Sequence, residues 1–410
     1  MTSTAPIRMT LIERRTSVWL ASIFALRMLG LFLVVPVFAL EAAKYPGGDD
    51  AARVGLALGM YGLMQAMLQM PFGLAADRLG RKPVIVFGLL VFAMGSFVAA
   101  FATDLTGLLV GRALQGGGAI SAAVTALLAD QTRDEVRTKA MGLVGGSIGL
   151  MFAISLVLSP LLNAQIGLAG LFGLTGGLAL AGIAVVLFLV PAEPRQHKDM
   201  HRTGVLMVLQ QPDLLRLNFG VFVLNAVQLA MWVVVPALLV QAGLAKAAHW
   251  QVYLPAVLVS FVAMGFGLFP LERKGYLFQV LLASIALLVA VQLGFWWFAA
   301  SPWAVGPPSV TALGMLGALL LLFFCSFNIL ETGQPSLVSK LAPASSRGAA
   351  LGLYNTSQSL GLFAGGALGG ALLKWGGPSG LFAATTALSA LWLLAAWRGK
   401  NLKAATTQPV

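Results

Sequence analysis

Twelve apolar runs, each long enough to cross a bilayer, leave this chain few ways to fold. They lie near 17–41, 52–75, 83–102, 105–129, 138–162, 168–190, 216–241, 249–270, 276–299, 309–331, 348–373 and 378–397. A helix crosses the roughly 30 Å hydrocarbon core in about 20 residues. Inside that core each backbone amide must find its partner within the protein, and runs of this length do so as helices. The predicted class is an all-α membrane protein with twelve transmembrane helices. Loops are short except for 191–215, which holds Pro191, Glu193, Pro194, Arg195, His197, Lys198, Asp199, His201 and Arg202. That stretch divides the runs six and six. It predicts an N-terminal six-helix bundle over 1–190, a cytoplasmic inter-domain loop over 191–215 and a C-terminal six-helix bundle over 216–410.

Composition excludes several function classes. The chain is 59% hydrophobic with a mean hydropathy of +0.89, too apolar for a water-facing surface. A net charge of +12 suits nucleic acid in principle. Here, however, the basic residues sit in short loops between apolar runs, where they answer anionic lipid instead. Cys325 and three scattered histidines offer no disulfide or metal framework. No glycine loop with Lys-Ser/Thr cradles a nucleotide phosphate. No nucleophile–base constellation points to an enzyme, and no cofactor is expected.

Orientation follows from Lys and Arg. With the N-terminus inside, twenty of the 26 fall on inner segments and four (Lys44, Arg53, Lys246, Lys374) on outer ends. Both termini are then cytoplasmic. The first run is too long for a cleaved signal and is expected to be retained. The halves also echo each other: Leu33-Val34-Val35-Pro36 in the first run parallels Val233-Val234-Val235-Pro236 in the seventh. Parallel six-span repeats predict a substrate path between them.

Charge within the runs is scarce, so each instance asks for a partner or an aqueous cavity. Arg27 lies mid-run in the first; it reads as a structural pair or as a charge facing the central cavity. Arg112 and Gln115 share a face of the fourth run, beside Gly116-Gly117-Gly118. Tyr354, Asn355 and Gln358 place polar groups early in the eleventh run, as a cavity lining would. Asn328 and Glu331 close the tenth. Glu331 reads either as an interfacial carboxylate paired with Lys340 or Arg347, or as a proton carrier or a second latch. The glycines of the fifth and eleventh runs predict close helix packing.

One loop concentrates charge. Asp77, Arg78, Arg81 and Lys82 fall within six residues, between Gly73 and Pro83. Such a loop fixes orientation, or it gates. Asp130, closing the fourth run on the same side, is placed to join Asp77 and Arg81 in a latch. Asp77 is also placed to face the start of the eleventh helix near Gly348.

The string Gly73-x-x-x-Asp77-Arg78-x-Gly80-Arg81-Lys82 resembles the signature loop of the major facilitator superfamily. Arg112 with Gly116–Gly118 resembles the fourth-span motif of its drug:proton antiporter branch. Phe24–Gly30, Gly111–Ala119 and Tyr354–Gly361 together resemble the YajR-type transporters, over nearly the whole chain. The resemblance implies the major facilitator fold, alternating access and proton-coupled efflux. It implies that the acids matched by Asp77 and Asp130, with the base matched by Arg81, form an inner-side relay favouring the outward-open state. Three features depart from the pattern. The YajR type carries an extra soluble C-terminal domain, so regulation through one is not expected here. The fifth-span Gly-Pro motif reads Ser159-Pro160-Leu161-Leu162, which weakens the case for antiport. Arg27 stands where many drug pumps place an acid, which weakens the case for cationic drugs.

The leading expectation is a monomeric, multi-pass transporter of a bacterial inner membrane that exports a small, partly apolar molecule against protons. A uniporter or importer of a small, anionic metabolite is the alternative that Arg27 and Arg112 motivate. A membrane sensor that carries no substrate is the third.

Overall fold

The computed structural model describes residues 9–191, 208–342 and 347–398. Every long element among them is a helix. In chain order these are α1 (Leu11–Ala42), α2 (Ala51–Leu79), α3 (Arg81–Ala100), α4 (Leu105–Gly117), α5 (Ser121–Asp130) and α6 (Asp134–Phe188). Then follow α7 (Pro212–Gln241), α8 (Trp250–Arg273), α9 (Leu277–Ala300), α10 (Val310–Leu341) and α11 (Arg347–Trp397). Of the predicted inter-domain loop, residues 192–207 lie outside the described residues.

Nine helices among the described residues are long and apolar enough to cross a membrane. Every one of the twelve predicted runs nevertheless falls on helix, and three glycine sites reconcile the numbers. α6 is 55 residues long and reverses at Gly167, where φ is 65° and ψ −177°. α11 is 51 residues long and reverses at Gly377, with φ 61° and ψ −169°. That backbone region is open essentially to glycine alone, so each residue folds two runs into a hairpin with almost no loop. The fourth run is broken into α4 and α5 at Gly118, whose ψ of 53° leaves the helix. A third positive-φ glycine, Gly80, turns α2 directly into α3.

The chain ends mark one face of the bundle. The first half packs α1 on α6, and α3 and α2 on α4. The second packs α10 on α8 and α9, and α11 on α7 and α9. The halves meet chiefly where α2 lies on α11, with α1 on α7 and α6 on α8 flanking that seam. Matching prolines, Pro36 in α1 and Pro236 in α7, sit buried at equivalent points of the two halves.

The seam tightens away from the chain ends. A Cβ added to Gly55 would lie 2.3 Å from the Gly366 carbonyl oxygen, and one added to Gly62 would lie 2.5 Å from that of Ser359. On its other side α11 presses Gly361 and Gly365 onto Phe222 and Ala226 of α7. Towards the chain ends, a Cβ on Gly348 or Gly352 would meet nothing within 4 Å. The same holds for Gly142, Gly145, Gly146 and Gly149 of α6. Close packing is therefore found for Gly361, Gly365, Gly366, Gly369 and Gly370 of the eleventh run and not for the glycines of the fifth.

Candidate functional site

Three polar clusters and one set of ion pairs stand out within this apolar frame. The first surrounds the two arginines of the N-terminal half. Arg27 is 1% exposed. Its guanidinium donates to the Tyr61 hydroxyl at 3.0 Å, the Gly118 carbonyl at 3.1 Å and the Ser121 hydroxyl at 3.3 Å. It also lies over the Phe92 ring. The Gly118 carbonyl belongs to the α4–α5 break; it accepts from the Ile120 N–H at 2.9 Å as well as from Arg27, which ties α1 to the break. Arg112 stacks on the other aromatic surface of this cluster, 4.9 Å from the Tyr61 ring centre. It donates to Gln115 at 2.9 Å and to the Leu58 carbonyl at 3.3 Å, and Gln115 donates on to Ser96 at 2.8 Å. Neither arginine faces open space in this conformation, and neither is ion-paired among the described residues.

The second cluster lies at the face of the chain ends. Arg81, at the start of α3, is ion-paired with Asp77 one turn back on α2 and with Asp130 of α5 at 3.3 Å. Its own side chain is far more covered than that of Asp77. The three predicted latch residues are thus brought together, all within the N-terminal half. Lys82 donates to the Val190 carbonyl, tying α3 to the end of α6, while Arg78 is exposed. A Cβ on Gly348, at the start of α11, would meet nothing within 4 Å. Nearby, Glu13 holds the Arg133 guanidinium at 2.8 Å, an anchor that sequence inspection missed.

The third cluster lies in the C-terminal half. Glu331 of α10 accepts from the Gln358 amide of α11 at 2.6 Å. Asn225 of α7 and Tyr354 of α11 also face it. Its partners are neutral. The expected pairing with Lys340 is corrected: Lys340, nine positions further along α10, reaches Glu272 of α8 at 3.0 Å. The side chain of Arg347 lies outside the described set. Asn328 shares the helix but not the site; it donates to Ser260 of α8 at 2.7 Å. Asn355 is half-buried on α11 beside Tyr354. Asn225 was legible only as a polar residue in an apolar run.

Two ion pairs join the halves at the opposite face. Lys246, in the turn before α8, reaches Glu41 at the end of α1 at 3.3 Å. Lys374 of α11 reaches Asp50, the cap of α2, at 2.7 Å. The Lys374 hydrogen bond holds the Asp50 carboxyl below its usual pKa. Inward from them, Phe152 of α6 meets Phe324 of α10 edge-on, with ring centres 6.0 Å apart. These contacts close the bundle on the face away from the chain ends.

Residues 20–366 match the model of the Major Facilitator Superfamily. The chain belongs to that superfamily. It is 41% identical to the inner membrane transport protein YajR of Escherichia coli over 393 residues, 95% of this chain and 84% of that one. It is 29% identical to the multidrug resistance protein MdtH of Aeromonas salmonicida over 380 residues, 90% of each. Among solved structures, the nucleoside transporter NupG superposes with a TM-score of 0.71 over 94% of this chain and 99% of that one, at 15% identity. At that identity the likeness concerns the fold alone. The protein is a multi-pass membrane transporter of this superfamily and not an enzyme, and the YajR-type resemblance holds along its length.

Proposed function

We propose that the protein exports a small, partly apolar molecule in exchange for protons, by alternating access between two six-helix bundles. The bundles are 1–190 and 216–410, linked by the 191–215 loop, and the protein works as a monomer. The charge bias sets both termini in the cytoplasm of a bacterial cell, so the face of the ion pairs Glu41–Lys246 and Asp50–Lys374 looks outward. In this reading the conformation is closed outside and open inside. Efflux draws support from the name of the MdtH relative.

The observation that carries the coupling is Glu331. A carboxyl on a membrane-crossing helix whose partners among the described residues are neutral has a low cost of neutralisation and a high cost of staying charged. It sits beside Tyr354 and Gln358, the proposed cavity lining, so its protonation alters what that lining can bind. Asn328 supports α10 against α8. In the other half Arg27, Arg112 and Gln115 hold the broken fourth span in the shape that forms the facing wall. Asp77, Arg81 and Asp130 form the inner gate, flanked by Arg78 and Lys82. When the inner side closes, that relay is available to the approaching end of α11.

Reconstitution in liposomes tests the reading. Glu331→Gln should abolish substrate-dependent proton movement while the purified protein keeps its fold. Unchanged proton movement in that variant rules out Glu331 as the carrier. Arg27 and Arg112, buried without an acid among the described residues, favour one competing reading: a carrier of a small anion that needs no protons. An uncoupler separates the two, because it abolishes accumulation by a coupled carrier and leaves equilibration by a uniporter intact.

A further inference from the structure

Between Glu331 and the face of the chain ends runs a line of polar groups that neither the cavity lining nor the gate uses. It begins at Arg216 and Asp213 near the start of α7, which are paired at 2.6 Å. Behind them lies a small cavity walled by Arg216 and Leu217 of α7, Leu281 of α9, Gln334 of α10 and Trp392 of α11. It gives about 30 Å³ to the centres of water-sized molecules. At roughly 10–15 Å³ for each, that is room for about two waters.

Most of this cavity's wall is apolar, but two polar side chains converge on one side of it. Gln334 is 2% exposed, and neither atom of its amide has a partner. Its Oε1 and the Trp392 Nε1 converge on Gly220 of α7. A Cβ at position 220 would lie 2.8 Å from the first and 2.7 Å from the second, so the glycine clears the space they share. One helical turn deeper along α10 stands Glu331, whose Oε2 is likewise buried without a partner. Buried polar atoms in an apolar medium are satisfied by protein or by ordered water. Among the described residues no protein group is bonded to these atoms, and the space beside Gln334 has room for water.

We propose that the α7–α10 seam is a hydrated proton path joining Glu331 to the face of the chain ends. Waters in the cavity, held by Gln334 and Trp392, connect the Arg216–Asp213 mouth to Glu331 Oε2. A proton entering at the mouth passes from water to water, each water giving up one proton as it takes another. The Glu331 carboxylate accepts the last, and the reverse sequence returns it. Gln334 is a positioning residue: its amide orients water and carries no proton. The groups facing Glu331 are Asn225 from α7 and Tyr354 and Gln358 from α11. α9 presents apolar side chains to the cavity, and α8 keeps its acid, Glu272, paired with Lys340 near the chain ends. The path rests on the reading of Glu331 as the proton carrier.

A pH-jump infrared measurement on the full-length protein in liposomes tests it. The Glu331 carboxyl band is identified by its loss in Glu331→Gln. Gln334→Leu removes the water-holding amide, and Gly220→Ala pushes a methyl against Gln334 Oε1 and Trp392 Nε1, displacing the two groups that hold water. In each, the band should respond at least tenfold more slowly than in the parent, with equilibrium substrate affinity at fixed pH unchanged. The pair of variants keeps the test alive if one of them misfolds. An unchanged rate in a folded variant overturns the path and leaves the Glu331 reading standing. Absence of any band lost in Glu331→Gln overturns that reading and the path with it.

Discussion

The Lys374 ammonium lies 2.7 Å from the Asp50 carboxylate, although 324 residues separate them in sequence. One comes from α11, the other caps α2, so the pair spans the two halves. Glu41 and Lys246 span them again nearby. Together they define which way this bundle is closed.

Breaking one pair should therefore move a conformational balance rather than unfold the protein. Exposed ion pairs are worth about 0.2–1 kcal/mol, so Lys374→Glu should shift the equilibrium away from this closed form by about twofold to fivefold. Asp50→Lys combined with Lys374→Glu restores the attraction and should restore the balance. Spin-label distances across that face, measured for the single and double variants, provide the readout. Identical distributions in all of them would remove the latch from the account.

The same pair predicts a pH response. The Asp50 pKa is depressed in the folded protein by the Lys374 hydrogen bond. A depressed acid contributes stability that is fully present above the pKa of the unpaired group, about 3.9. It is lost as pH falls through the lower, folded value. Closure at this face should accordingly be constant from neutral pH down to about pH 5 and weaken only below about pH 4. The same spin labels, followed from pH 8 to pH 3, check it. A transition near neutral pH would point to another group.

Arg27 should behave as a structural residue of the fourth span. Arg27→Met strands the Tyr61 hydroxyl in an apolar interior and takes one of two donors from the Gly118 carbonyl. A stranded group costs about 1–3 kcal/mol. Thermal unfolding in detergent should show a clear loss of stability, and substrate binding should weaken with it. Arg27→Lys, with one compact ammonium in place of a fork, should recover part of the loss. Full stability in Arg27→Met would return Arg27 to the role of a dispensable charge.

The glycine seam should tolerate substitution at one end and not at the other. Gly55→Ala forces a methyl to within 2.3 Å of the Gly366 backbone oxygen, so the halves must part. Overpacking of this kind costs about 1–3 kcal/mol. Gly145→Ala has nothing within 4 Å and sits in a helix, where alanine gains up to about 1 kcal/mol over glycine. Measured by unfolding, the first should destabilise this closed form and the second should leave it equal or firmer. Equal effects would mean that the seam is not where the halves bear on each other.

Much of this was decided by the sequence alone. Twelve apolar runs with short loops dictate membrane-crossing helices, because hydrocarbon offers the backbone no other partners. Gly80, Gly167 and Gly377 turn where they do because positive φ is open to them. The grouping of Asp77, Arg81 and Asp130 was legible, since charges at neighbouring helix ends on one face have few other places to go. Tertiary structure decided the rest. Arg27 reads as a structural pair or as a cavity charge until the fold brings Tyr61, Ser121 and the Gly118 carbonyl around its guanidinium. Glu331 reads as a partner for Lys340 until Glu272, on another helix, takes that lysine and leaves Glu331 among amides. The bonds joining the halves, Asp50 to Lys374 and Glu41 to Lys246, have no sequence signature at all. Coulomb attraction depends on distance in space, and only the packing of two halves sets that distance.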